Sequence, residues 1–442
     1  MPVFHIGLDD TDSDEGMCTT YLGAVIVDEL KELGAYIVGY PRLVRLNPNW
    51  PMKTRGNCAV AITIEIEEDK KLLFKRKVLE TVNSLAEIDN EKTNPGVVFF
   101  ECSDLPIALK EFSKKVINDV ATIDQAEKLA FAIGAEFHKF KLGRGIIGAL
   151  AAIGENFEED NTFELIAYRI SKNRGTIRKI DKKSVIEMDE YTYPRTFDNI
   201  DPKSNEIRIT PHTPCPILYG IRSEDPVTAM IAHKMVKSFE PIERWMIYRT
   251  NQATNAQYVD ARIKEIRPYK SVKTKGIVAS NPMKIPGGHV IFRLKDDEAE
   301  IYCAAYEPTR DFRGLVEKII IGDLIKVYGG VKEKPELPLT INLEKFEIIK
   351  LATLIKKINP FCEKCKKRAK SAGKNKGFIC KKCKKKFPEE SIELIEKNRG
   401  ISVGIYEVPP RARRHLTKPL IRLVNRRTWP VSIDCDFFTN EH

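Results

Sequence analysis

The chain has 442 residues, too many for one ordinary hydrophobic core and enough for roughly three or four domains. Hydrophobic residues make up 42% and charged residues 31%, which is typical of a soluble globular chain and excludes a fibrous or disordered one. No apolar run reaches the roughly 18 residues that a membrane helix needs, and the acidic N-terminus is unlike a secretory signal. We therefore expect a cytoplasmic protein with no membrane partner.

The net charge of +11 is concentrated in one segment. Between Lys356 and Lys386 the chain carries 14 lysine or arginine residues and one acid, Glu363. This segment has a net charge of +13, which leaves the rest of the chain at −2. Localised positive charge is what binding to a phosphate backbone requires, and a solvated lysine-rich face is the alternative explanation.

Strands and helices alternate over roughly the first 185 residues, which predicts an α/β domain. Apolar periodicity predicts strands at Val3–Leu8, Ala59–Ile66 and Val97–Phe100, and helices at Thr20–Leu33, Asp104–Asn118, Ile123–Ala135, Ile146–Ile153 and Thr162–Lys172. A second, compact α+β unit is predicted at residues 186–266. It contains strands at Glu206–Thr210 and Glu243–Thr250 and a helix at Pro226–Ser238.

The pattern changes again at residues 267–352. Strands are predicted at Ser271–Ser280, His289–Leu294, Glu300–Ala304, Leu324–Val331 and Leu339–Ile348, with a short helix at Phe312–Lys318. Three strands, a helix and two strands is the order of an OB barrel, although other small barrels share it. The basic cysteine segment follows at residues 353–390, and a basic C-terminal segment at 391–442 begins after a helix predicted at Pro388–Asn398.

Four cysteines stand as two CxxC pairs, Cys362 with Cys365 and Cys380 with Cys383, and 14 residues separate the inner two. Each CxxC turn can present two thiolates to one tetrahedral ion, so this spacing predicts a structural Zn²⁺ site. The other six cysteines are scattered through the chain, which argues against a disulfide framework and for a reducing compartment.

Three carboxylates, Asp9, Asp10 and Asp12, follow the first predicted strand. They repel one another unless a cation lies among them, and Mg²⁺ binds one or two carboxylates together with phosphate oxygens. The next motif, GMCTT (Gly16–Thr20), opens a helix, and a helix N-terminus attracts anions. The two features together favour a nucleotide site. The alternative is an aspartate-rich loop in which Thr19 or Thr20 is an ordinary N-cap.

A second glycine-rich motif, Gly143–Gly148, has the form GxGxxG. The residues before it are not the apolar strand of a dinucleotide fold, so we exclude NAD; P-loop and protein-kinase motifs are also absent. Flanked by Lys141 and Arg144, the turn can still bind a triphosphate. Farther along the chain, two prolines stiffen the loop His212–Arg222, which favours a pocket or, alternatively, an ordinary tight connection.

In this order the motifs resemble the archaeal tRNA(Ile) 2-agmatinylcytidine synthetase family. The resemblance covers essentially the whole chain and rests on DDTDS (Asp9–Ser13), GMCTT, GRGIIGALAAIG (Gly143–Gly154), TPCPILYGIR (Thr213–Arg222), RTNQATN (Arg249–Asn255) and PPRARRHL (Pro409–Leu416). It implies a multidomain α/β and α+β protein. Its parts would be a kinase-like ATP-binding domain at 1–185, a ferredoxin-like agmatine-binding domain at 186–266, an OB-fold, a zinc ribbon and the basic C-terminal segment.

The resemblance also implies the reaction. ATP activates C2 of the wobble cytidine of a CAU-anticodon isoleucine tRNA, ATP ends as AMP, and agmatine displaces the activated oxygen, so that the tRNA reads AUA. Site residues carry over as follows: catalytic Asp9, Asp10, Asp12 and Thr19, a threonine that the family can phosphorylate; Mg²⁺ at the three aspartates; and ATP at Thr11, Thr20, Lys141, Gly143, Arg144, Gly145 and Gly148.

Two substrates remain to be assigned. Agmatine is expected at His212, Pro214, Cys215, Tyr219, Ile221 and Asp225, with Glu224 as a further candidate for its guanidinium. The tRNA is expected at Lys364, Lys366, Lys367, Arg368, Lys381, Lys382, Arg411, Arg413 and Arg414. No obligate protein partner is expected. Two alternatives stay open: a single-stranded nucleic-acid-binding protein without catalysis, and a kinase with another acceptor.

Overall fold

The computed structural model describes residues 1–333, 337–424 and 438–440. Part of the predicted C-terminal segment, including Cys435, lies outside the described residues. The helices are α1 (Thr19–Glu32), α2 (Lys71–Leu85), α3 (Ile107–Asn118), α4 (Ile123–Ile133), α5 (Ile146–Gly154), α6 (Lys182–Thr192), α7 (Pro226–Met235), α8 (Asp311–Val316) and α9 (Ile421–Val424).

The strands fall into three groups along the chain. The first group is β1 (Val3–Asp9), β2 (Tyr36–Ile37), β3 (Arg42–Arg45), β4 (Cys58–Glu65), β5 (Gly96–Glu101), β6 (Glu136–Lys139), β7 (Thr162–Arg169), β8 (Ile200–Asp201), β9 (Glu206–Ile207), β10 (Ile217–Ser223) and β11 (Ile242–Thr250). The second is β12 (Tyr258–Asp260), β13 (Ser271–Val278), β14 (Met283–Lys284), β15 (Val290–Lys295), β16 (Glu300–Ala305), β17 (Leu324–Lys332) and β18 (Thr340–Lys350). The third is β19 (Ile355–Ile358), β20 (Phe361–Cys362), β21 (Lys367–Arg368), β22 (Lys370–Ser371), β23 (Phe378–Ile379), β24 (Lys386–Phe387), β25 (Glu393–Glu396), β26 (Gly404–Glu407) and β27 (Phe438–Asn440).

One mixed sheet runs through the first two predicted domains, in the order β10-β7-β11-β3-β4-β1-β5-β6. Its two halves meet where β11 pairs in parallel with β3, through Arg249 with Arg42 and Thr250 with Leu43. Beyond the pairing, the backbone N–H of Arg45 donates to Asn251 Oδ1 at 2.8 Å, and Asn251 Nδ2 donates to Arg45 O at 2.9 Å. The side-chain amide thus extends the junction by one residue. The predicted boundary between residues 185 and 186, like the other domain boundaries, stays a prediction.

The OB prediction is confirmed as a closed barrel. Strand β13 pairs with β17, β17 with β18, β18 with β16, β16 with β15, and β15 returns to β13. Helix α8 lies between β16 and β17, as expected, and its Phe312 packs into the barrel core with Phe346. The barrel meets the α/β half through Lys270, whose Nζ lies 3.0 Å from Asp119.

Two predicted helices are wrong. The segment predicted as a helix at Thr162–Lys172 is strand β7, flanked by β10 and β11, with all eight residues buried. A strand covered on both faces has no alternation, so periodicity alone cannot separate it from a buried helix. The helix predicted at Pro388–Asn398 is a short 3-10 turn followed by β25, because pairing with β19 outweighs the helix preference of its Glu and Lys residues.

Three helices were not predicted. One, α9, has only four residues, and the other two are the longer helices α2 and α6. Each of these two buries only one narrow stripe, for α2 Phe74, Val78 and Val82, while most of its remaining surface is polar or charged. Among the described residues no helix is long and apolar enough to cross a membrane.

Candidate functional site

The aspartate motif lies where β1 ends, and arginine side chains hold two of its carboxylates. Arg144 donates from Nε and Nη2 to Asp10 Oδ2 at 3.1 and 2.8 Å. Arg55 donates from Nε and Nη2 to Asp12 Oδ2 at 2.9 and 2.7 Å. The charge balance that we expected from a metal ion is therefore met in part by arginines. Arg144 belongs to the predicted site, whereas Arg55 was not predicted.

Asp9 is the carboxylate that makes no ion pair in the described part of the chain. Its Oδ1 accepts from the backbone N–H of Asp10 at 2.7 Å, and its Oδ2 faces Gly148, where a Cβ would lie only 2.0 Å away. Burial, reinforced by the neighbouring Asp10 carboxylate, raises the pKa of Asp9 well above its ordinary value. A cation bound here would reverse that shift, so Asp9 fits a metal ligand.

The glycines of GRGIIG are required by close packing. At Gly145 a Cβ would lie 2.4 Å from the carbonyl oxygen of Asp9 and from the backbone N of Gly96. Because Gly145 has no side chain, the first turn of α5 packs directly against the end of β1 and the start of β5. Gly143 has a left-handed backbone, with φ of 64°. Lys141 does not point into the site, because its Nζ donates to the carbonyls of Ile88 and Asn90 at 3.1 and 2.7 Å.

The N-terminus of α1 has no side-chain cap. Its N-cap residue is Cys18, which makes no capping hydrogen bond, so neither Thr19 nor Thr20 is the ordinary N-cap of the alternative explanation. Thr11 Oγ1 donates to Thr19 Oγ1 at 3.0 Å, and Thr20 Oγ1 lies 3.1 Å from Cys18 Sγ. The uncapped amides remain available to an anion.

A first cavity of about 760 Å³, open mouth included, adjoins these groups. Its wall brings together many predicted residues: Asp9, Asp10, Asp12, Thr19, Arg144 and Gly148. It also contains the loop between β3 and β4, with Trp50, Lys53 and Arg55, which sequence reasoning missed. The available signal was a cluster of aromatic and basic residues between Pro and Gly, in WPMKTRG.

A second and larger cavity, about 2,470 Å³ with its mouth, adjoins the first. Its wall includes His212 and Cys215 of the proline-stiffened loop, and Arg411, Arg413 and Arg414 of the C-terminal segment. Arg178 holds this loop in place by donating to the carbonyls of Pro211, Thr213, Cys215 and Ile217 at 2.7 to 3.1 Å. The loop is thus a rigid part of the wall, and Pro214 lies within it.

Three residues predicted to bind agmatine lie elsewhere. Tyr219 and Ile221 are buried in the core packed beneath β10, because alternation along the strand turns Gly220 and Arg222 to the cavity instead. Asp225 caps α7, accepting from Thr228 N and Oγ1 at 2.8 Å each. Glu224, the further candidate, is ion-paired with the buried Arg422.

The four clustered cysteines come together as predicted. Their sulfur atoms all lie within 4.8 Å of one another, and the Sγ atoms of Cys362 and Cys383 are 3.6 Å apart. Tetrahedral zinc, with Zn–S of about 2.3 Å, requires sulfur atoms about 3.8 Å apart. The donor set and the spacing therefore fit a structural Zn²⁺.

The predicted RNA-binding cations fall into two groups. Those in the ribbon lie at its surface, away from the metal site: Lys364, Lys366, Lys367, Arg368, Lys381 and Lys382. Those of residues 409–424, which we call the C-terminal strap, make ion pairs within the protein. Arg411 lies 3.0 Å from Glu206, Arg413 pairs with Asp198 and with Glu407, and Arg414 lies 3.4 Å from Glu344.

An α/β domain that gathers carboxylates, an uncapped helix N-terminus and a glycine-rich turn at one cavity is typical of phosphate chemistry. An OB barrel and a basic four-cysteine ribbon are typical of nucleic-acid binding. Together they define the class: enzymes that use a nucleotide to act on a nucleic acid.

Family models match four parts of the chain: the TiaS TCKD domain at residues 5–74, the TiaS FLD domain at 143–257, an OB-fold nucleic acid binding domain at 272–349 and the TiaS C-terminal zinc ribbon domain at 359–401. The isoleucine-tRNA 2-agmatinylcytidine synthetase TiaS of Methanocaldococcus jannaschii is 44% identical over 425 residues, covering 95% of this chain and 99% of its own. That of Pyrococcus horikoshii is 46% identical over 419 residues, covering 95% and 97%. The chain belongs to the TiaS family.

Solved structures agree. The crystal structure of apo TiaS matches with a TM-score of 0.86 and 42% identity, covering 96% of this chain and 98% of its own. The crystal structure of TiaS in complex with its isoleucine tRNA, AMPCPP and agmatine matches with a TM-score of 0.85 and 38% identity, covering 98% and 100%. The fold described above is therefore the TiaS fold over nearly the whole chain.

Proposed function

We propose that this protein is an ATP-dependent tRNA ligase that joins agmatine to C2 of the wobble cytidine of a CAU-anticodon isoleucine tRNA. The product, 2-agmatinylcytidine, pairs with A, so the tRNA decodes AUA. Membership of the TiaS family supports the reaction, since the related complex named above contains the isoleucine tRNA, an ATP analogue and agmatine. A protein acting on tRNA in this way works in the cytoplasm.

The observation that carries the proposal is the pair of adjoining cavities. Asp12, Cys18, Trp50, Lys53, Arg55, Gly56 and Cys58 are among the residues that line both. The first cavity has the groups that hold a triphosphate, and the second is large enough for an extruded nucleotide with agmatine beside it. A phosphoryl group can thus pass from ATP to the base without leaving the protein.

On the ATP side, the amides at the start of α1 and the hydroxyl of Thr19 face the phosphates. Gly148 lines the cavity, and Gly143 and Gly145 allow the close packing of the turn before α5. Thr11 orients Thr19, which we assign as the threonine that the enzyme can phosphorylate. Lys141 positions the neighbouring loop rather than the nucleotide. Thr20 lies on the wall of the second cavity.

Mg²⁺ is part of the proposal, with Asp9 as its first protein ligand. Asp10 and Asp12 lie beside it but are ion-paired with Arg144 and Arg55, so phosphate oxygens and water would supply most of the other ligands. When bound, the ion neutralises charge on the β- and γ-phosphates. Asp9, with its raised pKa, gains most from this cation because it has no arginine of its own in the described part of the chain.

Agmatine is assigned to the second cavity, beside His212, Pro214 and Cys215. Pro211 and Ile217, which line this cavity, give its four-carbon stem an apolar wall, and Arg178 keeps that wall rigid. Tyr219, Ile221 and Asp225 are not included, since they lie in the core or cap α7.

The tRNA is assigned to the surface cations of the ribbon and to the OB barrel, since Arg411, Arg413 and Arg414 of the strap are ion-paired within the protein. Extruding the wobble base costs a few kcal/mol, which contacts elsewhere on the tRNA offset. Phosphate contacts of exposed lysines supply such binding energy without reading sequence.

The chemistry needs two displacements. The C2 carbonyl oxygen attacks Pγ, and the bond from Pγ to the bridging oxygen breaks. The amine of agmatine then attacks C2, the phosphate leaves with the C2–O electron pair, and the amine loses a proton. AMP forms separately from the ADP left by the first displacement, when water attacks Pβ, the Pα–O–Pβ bond breaks and inorganic phosphate is released. Positioning and charge stabilisation account for most of the rate in such transfers.

One incubation tests the proposal. The protein is mixed with Mg²⁺, α- and γ-labelled ATP, labelled agmatine and unmodified CAU-anticodon isoleucine tRNA, with a methionine tRNA in parallel. We expect agmatine label on the isoleucine tRNA alone, with AMP formed alongside. ATP turnover without modified tRNA would instead indicate a kinase with another acceptor, and tight RNA binding without turnover would indicate a binding protein.

A further inference from the structure

Arg55 stands at the boundary between the two cavities and is not used by the assignments above except as the partner of Asp12. It lies in the loop between β3 and β4 and lines both cavities. Its Nε and Nη2 hold Asp12, and Nη2 also donates to the carbonyls of Gly16 and Met17. These bonds tie the loop to the segment between β1 and α1.

The third nitrogen of Arg55 is not occupied. Nη1 is buried and has no hydrogen-bond partner in the part of the chain that the structure describes. A buried charged donor without an acceptor is unfavourable, and an anionic oxygen placed beside it removes that penalty. The guanidinium therefore combines a fixed position with unused donor capacity.

The residues that line both cavities carry a net positive charge. Lys53 also lines both cavities. Burial raises the pKa of the Cys58 thiol to about 12 and, with Cys215, raises that of Cys18, so both thiols are neutral at pH 7. Asp12 is the shared acid, and Arg55 neutralises it. Two cations against one anion favour a group that brings negative charge across the boundary.

We propose that Arg55 is a catalytic residue that binds the γ-phosphoryl group in transit, contacting its oxygens as it passes from ATP in the first cavity to the wobble base in the second. This inference rests on the proposed function. In the step, the C2 oxygen forms a bond to Pγ, the bond from Pγ to the bridging oxygen breaks, and ADP leaves with that electron pair. No proton moves at Arg55, which stays protonated and stabilises charge on the three equatorial oxygens.

The role predicts a specific energetic signature. A group that touches the phosphoryl in transit stabilises the transition state more than the bound substrates. Removing it should lower the rate and leave ground-state affinity nearly unchanged. Arginines with this role contribute roughly 10³- to 10⁵-fold to the rate in other phosphoryl-transfer enzymes.

The test compares Arg55→Gln and Arg55→Lys with Thr54→Ala in the full-length protein. Thr54 is the matched control, since its Oγ1 donates to the same carboxylate, Asp12 Oδ1, at 3.3 Å, but carries no charge. Calorimetry measures the affinity for a non-hydrolysable ATP analogue and for the isoleucine tRNA. Single-turnover kinetics measure agmatidine formation, and a third titration measures ADP with aluminium fluoride in the presence of the tRNA.

We expect both Arg55 variants to bind the ATP analogue and the tRNA within about threefold of wild type. The rate should fall about 10³-fold or more, and the affinity for ADP with aluminium fluoride should fall at least about 100-fold. Guanidinium ion should restore part of the rate in Arg55→Gln, and Thr54→Ala should stay within about tenfold of wild type.

Three results would overturn the inference: a rate in Arg55→Gln within tenfold of wild type, equal losses of ATP-analogue and transition-state-analogue affinity, or a loss in Thr54→Ala that matches it. If Arg55→Gln does not fold, Arg55→Lys tests the inference instead, because it keeps the positive charge but lacks the planar guanidinium and its paired N–H donors. Failure of the proposed function is a separate outcome, since wild-type protein would then make no agmatidine at all.

Discussion

The zinc ribbon (residues 359–401) and the C-terminal strap are both rich in lysine and arginine, and they use these residues in opposite ways. In the ribbon most of the cations face solvent. In the strap they pair with acids of the α/β half: Arg411 with Glu206, Arg413 with Asp198, and the 3% exposed Arg422 with Asp160 and Glu224. Basic composition alone therefore does not identify a surface for RNA; the number of cations left to solvent does.

The ribbon and the strap differ in their use of basic residues because different interactions stabilise their folded structures. The ribbon has no hydrophobic core of its own among the described residues, and metal binding would stabilise it while leaving the lysines outside. The strap buries Leu416 and Pro419 but leaves Leu423 and Val424 exposed, and it lies against a surface that supplies carboxylates. Its arginines are what attach it.

The largest expected effect is loss of zinc from the ribbon. In Cys380→Ser the thiolate set is incomplete, and structural zinc contributes about 10–16 kcal/mol in small domains, so the ribbon should unfold. We expect proteolysis within residues 359–401 and weaker binding of the isoleucine tRNA, with unchanged affinity for an ATP analogue.

Cys102→Ser is the control for this variant, because Cys102 lies outside the ribbon and should change neither property. A ribbon that stays protease-resistant in Cys380→Ser, with no zinc by elemental analysis, would contradict the assignment of metal as its source of stability.

The second largest expected effect is the loss of stability when Arg422 is replaced. The change Arg422→Ala leaves the largely buried Glu224 without its cation and Asp160 with Lys418 alone, and breaking a buried pair in this way costs about 3–5 kcal/mol. The melting temperature should fall, and the strap should become sensitive to protease. The matched control is Lys364→Ala, at an exposed lysine of the ribbon, which should change the free energy of unfolding by no more than about 0.5 kcal/mol. Equal melting temperatures for the two variants would contradict the distinction between strap and ribbon.

The ion pair between Arg422 and Asp160 predicts that the stability of the protein depends on pH. Burial alone would raise the pKa of Asp160, but Arg422 and Lys418 outweigh it and hold the pKa below its ordinary value. A carboxyl whose pKa is lower in the folded state stabilises the protein above its unfolded pKa of about 3.9, and this contribution is lost as the pH falls through the folded value. The melting-temperature difference between wild type and Arg422→Ala should therefore be constant from about pH 7 to 5 and shrink below about pH 4. A difference that grows on acidification would refute the linkage.

The smallest expected effect is a change in how strongly tRNA affinity depends on salt concentration. Each lysine that contacts a phosphate adds about 0.7 to 0.9 to the slope of log affinity against log salt concentration. Lys381→Gln with Lys382→Gln should therefore lower the slope for the isoleucine tRNA by about 1.4 to 1.8, while Arg411→Gln should leave it unchanged because Arg411 is engaged by Glu206. Titrations at several salt concentrations measure both, and a larger change in Arg411→Gln would reverse the comparison.

The order of the domains could be predicted from the sequence because their signals are local. The CxxC spacing, the alternating barrel strands and the glycine-rich turn each depend on a few neighbouring residues. Strand β7 could not be recognised, because its two faces are buried by elements that lie far away in the sequence, one by α1 through Tyr21 and the other by α7. The pairing of Arg422 with Asp160, 262 positions apart, is invisible for the same reason.

The site was predicted in part. Asp9, Asp10 and Asp12 lie at one cavity because β1 carries all three to its end. Arg55 was missed because its loop has no periodicity or known motif, and the aromatic and basic residues around it do not by themselves indicate a function. Tyr219 and Ile221 were expected in the agmatine pocket because the motif was considered as a block, whereas a strand sends alternate residues to opposite faces.

The short parallel pairing of β3 with β11 has a further consequence. Enzymes that bring two large substrates together commonly do so by rotating domains about a hinge, and each cycle then includes opening and closing. Here the two halves that line the adjoining cavities share one sheet, and rotating them apart would break backbone hydrogen bonds at Arg249 and Thr250. The distance between the two cavities is therefore set when the chain folds and not at each turnover, which leaves motion to the loops.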